Sequence, residues 1–424
     1  VTTLVLSNHT AVVEDALLKT GTPVIACLTK PAARARLTVP AGYEVLTVSH
    51  WGAYDELAAL AQQLRGQVDV VATLWEGSLL AAGFLRELMD VPGQSMQEAI
   101  GFTDKAIMKR RVSAAGIPTA QHRVIRTVEE IHTAASELGG YPVVVKPLLG
   151  FGSTNTHVVR SFGELQAMGE RVFRHRVEAT EMFRAEPAFK PVAEQGLILV
   201  EEYVDIAVEY HCEGFWADGR PIYQIPGQYN VPALRGMGGT LGSVLLDPDT
   251  GAGATVARIA EAAAQALGIV DGWTHAEVYR DTAGRWWFGE IAARPGGGGI
   301  QPTLLHAYGI DVPAMIGRYA AGQPTVVSID RRPGVFGWGG PFVPPGRVTQ
   351  IARRESLLRY PGVLDATVVS SVGSEGGLTG SSLWGGLGGY TFLHGDTPAQ
   401  LFAWMDELPE RYAIQVAAPQ GVAA

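Results

Sequence analysis

The stretch Gly272–Gly299, GWTHAEVYRDTAGRWWFGEIAARPGGGG, constrains this chain more than any other. It has the layout of two strands joined by a turn at Asp281-Thr282-Ala283-Gly284. Each strand carries one inward-pointing carboxylate, Glu277 and Glu290. Two acids on paired strands can hold a magnesium ion against phosphate oxygens. Arg294, four residues past the second acid, can reach the same centre and meet negative charge on a reacting oxygen. Taken alone, the segment also fits a solvated hairpin with scattered charges, so the rest of the chain has to decide.

A chain of 424 residues, 47% hydrophobic and 18% charged, is long enough for two or three cores. Its net formal charge of −9 comes without a basic block, which argues against a nucleic-acid partner. Cys27 and Cys212 are too few for a disulfide framework and suit a reducing compartment. The opening VTTLVL reads as a strand rather than a leader, and no apolar run approaches a bilayer span. These features predict a cytoplasmic protein with no membrane contact. There is no G-x-S-x-G, C-x-x-C or H-E-x-x-H sequence, so hydrolase, redox and zinc chemistries lack support.

Residues 1 to about 95 alternate strands (Thr3–Leu6, Val24–Cys27, Glu44–Val48, Val68–Leu74) with helices at about 11–19, 53–65 and 77–89, the pattern of an open parallel sheet. Glu76, just past the fourth strand, lies at a carboxyl end where such sheets bind ligands and either touches a substrate or, the reading favoured, caps the next helix. Asp104 is an N-cap for a helix over Lys105–Ala114, closed by Gly116 and Pro118. Thr127 and Glu130 have capping-box spacing. Strands follow at Tyr141–Pro147 and about Thr156–Arg160, then a charged, mostly helical run over 161–195. Further strands are expected at Leu197–Tyr203, Val208–Trp216 and Pro221–Ile225, and a helix at about Ala254–Leu267. Beyond about 325 the chain is rich in Gly and Pro with short strands.

Lys146 closes a buried-looking strand just before LLGFGST. A lysine there can meet phosphate oxygens, and Gly150 and Gly152 let the backbone fold close over them. Ser153 and Thr154 add hydroxyl donors. The loop also fits an ordinary glycine turn. ILVEEYV (Ile198–Val204) ends a strand with two acids and an aromatic, suited to an adenine edge or to a plain exposed strand end. His275 shares a strand face with Glu277, and either orients a substrate or packs behind that acid. Tyr223, Tyr229 and Arg235 have no assigned roles, and Trp286 and Trp287 read as including one core residue and not as a stacking platform.

The order of these parts resembles the ATP-grasp ligases: lysine on an early helix, lysine before a glycine loop, an E-E-Y-V hinge, then two acids and an arginine. D-K-A-I-M-K at Asp104, A-G-I-P at Ala115–Pro118 and the H-A-E of the hairpin look most like the carboxylate–amine ligases, among them L-amino-acid (dipeptide) ligases and carnosine-synthase-like enzymes. The tail, with PPGRVTQI, YPGVLDATVV and GYTFLHGDTPAQLF, resembles the closing domain of amino-acid ligases. The resemblance implies an α/β fold of ATP-grasp architecture: a parallel α/β domain over 1–100, a two-subdomain ATP clamp over 101–325 with its lid at about 120–202, and a small α+β closing domain over 326–424. It implies phosphate contacts from Lys105 and Lys146, a lid loop over Gly150–Thr154, and an adenine hinge at Glu201, Glu202, Tyr203 and Val204. In that hinge the Glu201 carboxylate accepts from the exocyclic amine, and Glu209 binds the ribose. Glu277 and Glu290 become magnesium ligands and Arg294 the arginine beside an acyl phosphate, with His275, Gly296 and Gly297 near the substrate. The expected cofactors are ATP and Mg²⁺, and the partners a small carboxylate and a small amine, with a homodimer left open. Ala292 stands where the family commonly has a metal-binding asparagine, and four glycines replace a pattern that often includes an acid. Two alternatives stay open: a purine-biosynthetic or biotin-carboxylase-like enzyme, and a catalytically weakened ATP-binding regulator.

Overall fold

The computed structural model describes the chain except residues 9, 37–41, 151, 153–155, 170–196, 237, 378–385 and 418–424. Four parallel strands come first: β1 (Thr3–Ser7), β2 (Val24–Thr29), β3 (Glu44–Val48) and β4 (Val70–Ala72), in the order β3-β2-β1-β4. Leu4 and Leu6 pack on one face with Leu57 and Leu85, while Val5 packs on the other with Val13, Leu17 and Ile316. Both faces are covered, which is why these strands read as unbroken apolar runs. Helices Val12–Thr20, Tyr54–Leu64 and Leu79–Met89 fall within two residues of expectation. β4 is shorter than expected because Thr73 Oγ1 accepts from the Trp75 amide at 3.0 Å and turns the chain.

Asp104 caps Lys105–Ala114, its carboxylate accepting from the Ala106 and Ile107 amides at 2.9 Å each. Thr127 caps Val128–Glu137 by accepting from Glu130. The return bond of the capping box is displaced by one residue: the Glu130 carboxylate accepts from the Arg126 amide, not from that of Thr127.

A second sheet is antiparallel: β5 (His122–Ile125), β6 (Val143–Pro147), β7 (His157–Val159) and β8 (Ile198–Glu202), ordered β5-β8-β6-β7. Of the charged run expected to be helical, Phe162–Met168 is a helix, and the part from 170 on lies outside the described residues. The remaining strands are β9 (Ile206–Ala217), β10 (Arg220–Tyr229), β11 (Thr240–Leu245), β12 (Gly272–Asp281), β13 (Trp286–Ala292), β14 (Val335–Pro341), β15 (Gly346–Gln350), β16 (Val363–Val368), β17 (Glu375–Gly376), β18 (Gly389–Gly395) and β19 (Gln415–Ala417). Eight of them form one sheet, β13-β12-β9-β10-β11-β14-β18-β16, and three form a small sheet, β17-β15-β19.

The acidic hairpin is β12–β13, closed by the Gly284 amide donating to the Asp281 carbonyl at 2.9 Å. Strands β14, β16 and β18, from the segment expected to close the molecule, extend the sheet that carries the acids rather than forming a sheet of their own. The join is β11, a strand the sequence reading missed because Gly242 breaks its apolar run. Helix Gly251–Ala266 covers the acid-bearing end of the sheet with Val256, Ile259 and Ala263 against Trp216, Ala276 and Phe288. Among the described residues, no helix is long and apolar enough to cross a membrane.

Candidate active site

Strands of the four-stranded and the eight-stranded antiparallel sheets line one cavity of about 240 Å³. Val144, Lys146 and Glu201 reach it from the smaller sheet, and Glu209, Glu277, Tyr279 and Glu290 from the larger. Lys105 and Lys109 enter from the Asp104-capped helix, where a spacing of four residues puts them on one face. Of the expected phosphate loop, Gly150 lines this cavity, and its carbonyl accepts from the Lys105 ammonium. Ser153 and Thr154 lie outside the described residues.

The charges form one connected cluster. Lys105 Nζ stands 3.6 Å from Glu290, and Lys146 Nζ 3.0 Å from Glu201. Lys109, which the sequence reading quoted but gave no role, is 2% exposed; it pairs with Glu201 at 3.2 Å and donates to the Gly289 carbonyl at 3.1 Å. The Glu201 carboxylate is therefore engaged by two lysines. Those ion pairs outweigh its burial and hold it below the usual carboxylate range. Glu202, Tyr203 and Val204, which follow it, also line the cavity. Trp287 and Phe288 line it too, while Trp286 packs against the core.

Glu277 and Glu290 are directly opposed in the β12–β13 register. Burial, then the charges of Glu290 and Glu209, push the Glu277 carboxyl up to about 8. Glu209, which accepts from the Ala233 amide at 2.8 Å, is pushed up to about 7 by burial and by Glu290. Glu290 goes the other way: its burial is outweighed by Lys105, Lys146 and Lys109. Three carboxylates converge, Glu209 buried and Glu277 and Glu290 half-buried, and the lysines neutralise only the Glu290 side. The uncompensated charge at Glu277 and Glu209 is what a divalent cation would satisfy, so the donor set fits Mg²⁺.

A smaller cavity of about 30 Å³ shares Lys105, Ala233, Glu277 and Glu290 with the first and adds Gly152, Tyr229, His275, Ala292 and Arg294. Ala292 brings no donor atom to it. Arg294 Nε donates to Glu76 at 3.0 Å, and its Nη1 to the Pro295 carbonyl at 3.1 Å. Glu76 is thus not a helix cap, as its position after β4 suggested. It makes no cap bond, is buried, and reaches across 218 positions of sequence to the arginine.

Behind this cavity lies a buried acid that the sequence did not flag. Glu213 Oε1 accepts from His275 Nδ1 at 2.6 Å and from His211 Nδ1 at 2.9 Å, and its Oε2 accepts from the Gly296 amide at 3.0 Å. Burial works against the charge on Glu213, but the two imidazoles hold it far below the usual range. His275 is raised in turn, because its Glu213 partner outweighs burial. Burial lowers His211, and Ser243 Oγ lies 3.0 Å from its Nε2, which suits a neutral ring. A Cβ at position 296 would lie 2.6 Å from the Glu213 carboxylate, so only glycine lets the chain after Arg294 sit on this acid. Gly297 accepts from the Ile300 amide at the start of the next helix. The alternation of Glu213 with His211 along β9 is the sequence signal that would have found this cluster.

Residues 139–303 match the family model of the ATP-grasp domain. The chain is 30% identical over 247 residues to an L-arginine-specific L-amino acid ligase of Bacillus subtilis, an overlap of 58% of this chain. It spans 56% of that relative's length. A D-alanine–D-alanine ligase of Pseudomonas entomophila (strain L48) is 25% identical over 304 residues, 70% of this chain and 86% of that protein. Among solved structures, an L-amino acid ligase from Bacillus licheniformis superposes with a TM-score of 0.74 at 18% identity, covering 98% of each chain. A phosphoribosylglycinamide synthetase from Anaerococcus prevotii does so with a TM-score of 0.62 at 16% identity, over 98% of this chain and 99% of that one. At these identities the structures establish a shared fold.

Proposed function

We propose that this chain, which carries an ATP-grasp domain, is an ATP-dependent ligase that activates a carboxylate as an acyl phosphate and couples it to an amine, with an amino acid on at least one side. The observation that carries this reading is the junction of the two cavities. Lys105, Glu277 and Glu290 belong to both, so a phosphate chain in the larger one would end beside a small space that also holds Arg294. The relatives named as amino-acid ligases favour an amino-acid substrate over the purine-biosynthetic and biotin-carboxylase alternatives.

In the first step a carboxylate oxygen of the acid attacks the γ-phosphorus of ATP; the bond from that phosphorus to the β-bridging oxygen breaks, and ADP leaves. Lys105 and Lys146 neutralise phosphate charge, which is most of the protein's work in such a transfer. Glu277 and Glu290, with Glu209 beside them, would hold Mg²⁺, which supplies further charge neutralisation when bound. In the second step the amine nitrogen attacks the acyl carbon, inorganic phosphate departs, and the nitrogen loses its proton. Arg294 meets the oxyanion that forms. The acyl phosphate has to be kept from water until the amine arrives.

The test is ADP release from ATP and Mg²⁺ against a crossed panel of amino acids as acids and amines, with mass spectrometry of the products. A condensed product with stoichiometric ADP supports the reading. Nucleotide binding without turnover on any pair would replace it with the regulator, for which Ala292 is the sequence feature.

A further inference from the structure

The strand order β3-β2-β1-β4 reverses direction at β1, since the chain builds outward through β2 and β3 and then returns to the other side of β1. In open parallel sheets, the crevice beyond the carboxyl ends of the two strands at such a switch point is where ligands bind. A cavity of about 180 Å³ lies there. Ser7, Asn8 and Thr10 line it from the end of β1, and Leu74 and Trp75 from the end of β4. Pro295, which follows the reactive arginine, closes it from the ATP-grasp side.

The connection to the active site is direct. Trp75 and Pro295 line this cavity, while their chain neighbours Glu76 and Arg294 line the small cavity beside the phosphate cluster. The Glu76–Arg294 pair, at 3.0 Å, is thus the partition between the two spaces. From these positions we infer that the switch-point cavity receives the body of the amine substrate and that the partition is where its nitrogen passes toward the acyl carbon. Glu76 supplies a carboxylate for the ammonium at that point. This inference rests on the ligase reading above.

The lining also sets the chemical class. None of the described residues that line the cavity is charged; they are aliphatic and aromatic groups with hydroxyls and amides among them. The nearby Arg36 does not alter this, because its charge is already paired with Glu14 at 2.8 Å, and its Nη2 also donates to the Ser7 hydroxyl and the Asn8 and Thr10 carbonyls. A phosphate or second carboxylate entering here would lose water without gaining a cation. The part of the amine inside the cavity is therefore uncharged and partly apolar, such as the side chain of a neutral amino acid, and a phosphate-bearing side chain is disfavoured.

Hydroxylamine separates the two halves of the reaction, because it is small enough to intercept an acyl phosphate without filling an amine site. ADP release and hydroxamate formation are measured for each of the twenty amino acids as acid. The amine is then varied among L-alanine, L-methionine, L-phenylalanine, L-glutamate and O-phospho-L-serine. Val12, exposed at the start of its helix and lining the cavity, is replaced by Val12→Trp to fill the space. The expected result is unchanged hydroxamate formation and an amine KM raised roughly tenfold or more. Wild-type protein should accept neutral amines and reject O-phospho-L-serine. Saturation-transfer NMR should show L-methionine bound to wild type with ADP and not to Val12→Trp. An unchanged amine KM, or O-phospho-L-serine used as well as L-methionine, overturns the assignment while leaving the ligase intact. Absence of hydroxamate with every acid overturns the ligase reading and this one with it. The wild-type selectivity decides the matter if the variant does not fold.

Discussion

Replacing Glu277 by glutamine should stabilise the metal-free protein at alkaline pH while abolishing its turnover. The Glu277 carboxyl is held up at about 8, against 4.5 for an ordinary glutamate, so the folded state binds its proton more tightly than the unfolded state does. Stability from this group is therefore fully present below pH 4.5 and is lost as pH rises toward 8. Each pH unit in that window is worth about 1.4 kcal/mol, which bounds the penalty at pH 8 at about 4 kcal/mol. Side chains that repel one another move apart, and about half of it, roughly 2 kcal/mol, is expected after relaxation. For a chain of this length that is about 2 °C in melting temperature. The assay is thermal unfolding in EDTA at pH 5 and pH 8, with and without added Mg²⁺. Glu277→Gln should melt higher than wild type at pH 8 and equally at pH 5, and Mg²⁺ should raise wild type at pH 8 but not the variant. A variant that melts lower at pH 8, or gains equally at both pH values, would refute an uncompensated carboxylate at this position.

Three further outcomes follow from the same geometry. Lys109→Met removes one of the two cations on buried Glu201, and it should cost about 3 kcal/mol of stability by denaturant unfolding, with weaker ATP binding by calorimetry. Arg294→Lys keeps the charge but loses the planar fork; nucleotide affinity should stay near normal while product formation falls roughly 100-fold, and the reverse pattern would make Arg294 a nucleotide ligand. Gly296→Ala drives a Cβ to within 2.6 Å of the Glu213 carboxylate and should shift the chain after Arg294, lowering kcat with little change in the KM for ATP; wild-type kcat would show that this acid does not position the loop.

The local elements were legible because local chemistry makes them. Asp104 and Thr127 cap their helices through their own side chains, and the four-residue turn at Asp281 closes the acidic hairpin. Strand alternation alone puts Glu277 with His275 on one face, and four-residue helical spacing puts Lys109 beside Lys105. The ordered lysines, glycine loop, acids and arginine were readable for the same reason. Each sits at an element end or face that its neighbours in sequence define.

Which groups meet across the molecule was decided only by tertiary structure. Periodicity tells which face a side chain is on, but not what another strand or domain brings to that face. Glu76 looked like a cap until the fold set it against Arg294, 218 positions away. Glu201 looked free to meet a base until Lys109 and Lys146 were found on its two oxygens. Glu213 carried only its alternation with His211 along β9, which says nothing of what lies across the sheet; sheet order places His275 directly opposite it, and the Gly296 amide donates to it. β14, β16 and β18 belong to the acid-bearing sheet because β11 offers an edge whose amides and carbonyls must be paired, a requirement of the assembled sheet rather than of any one strand.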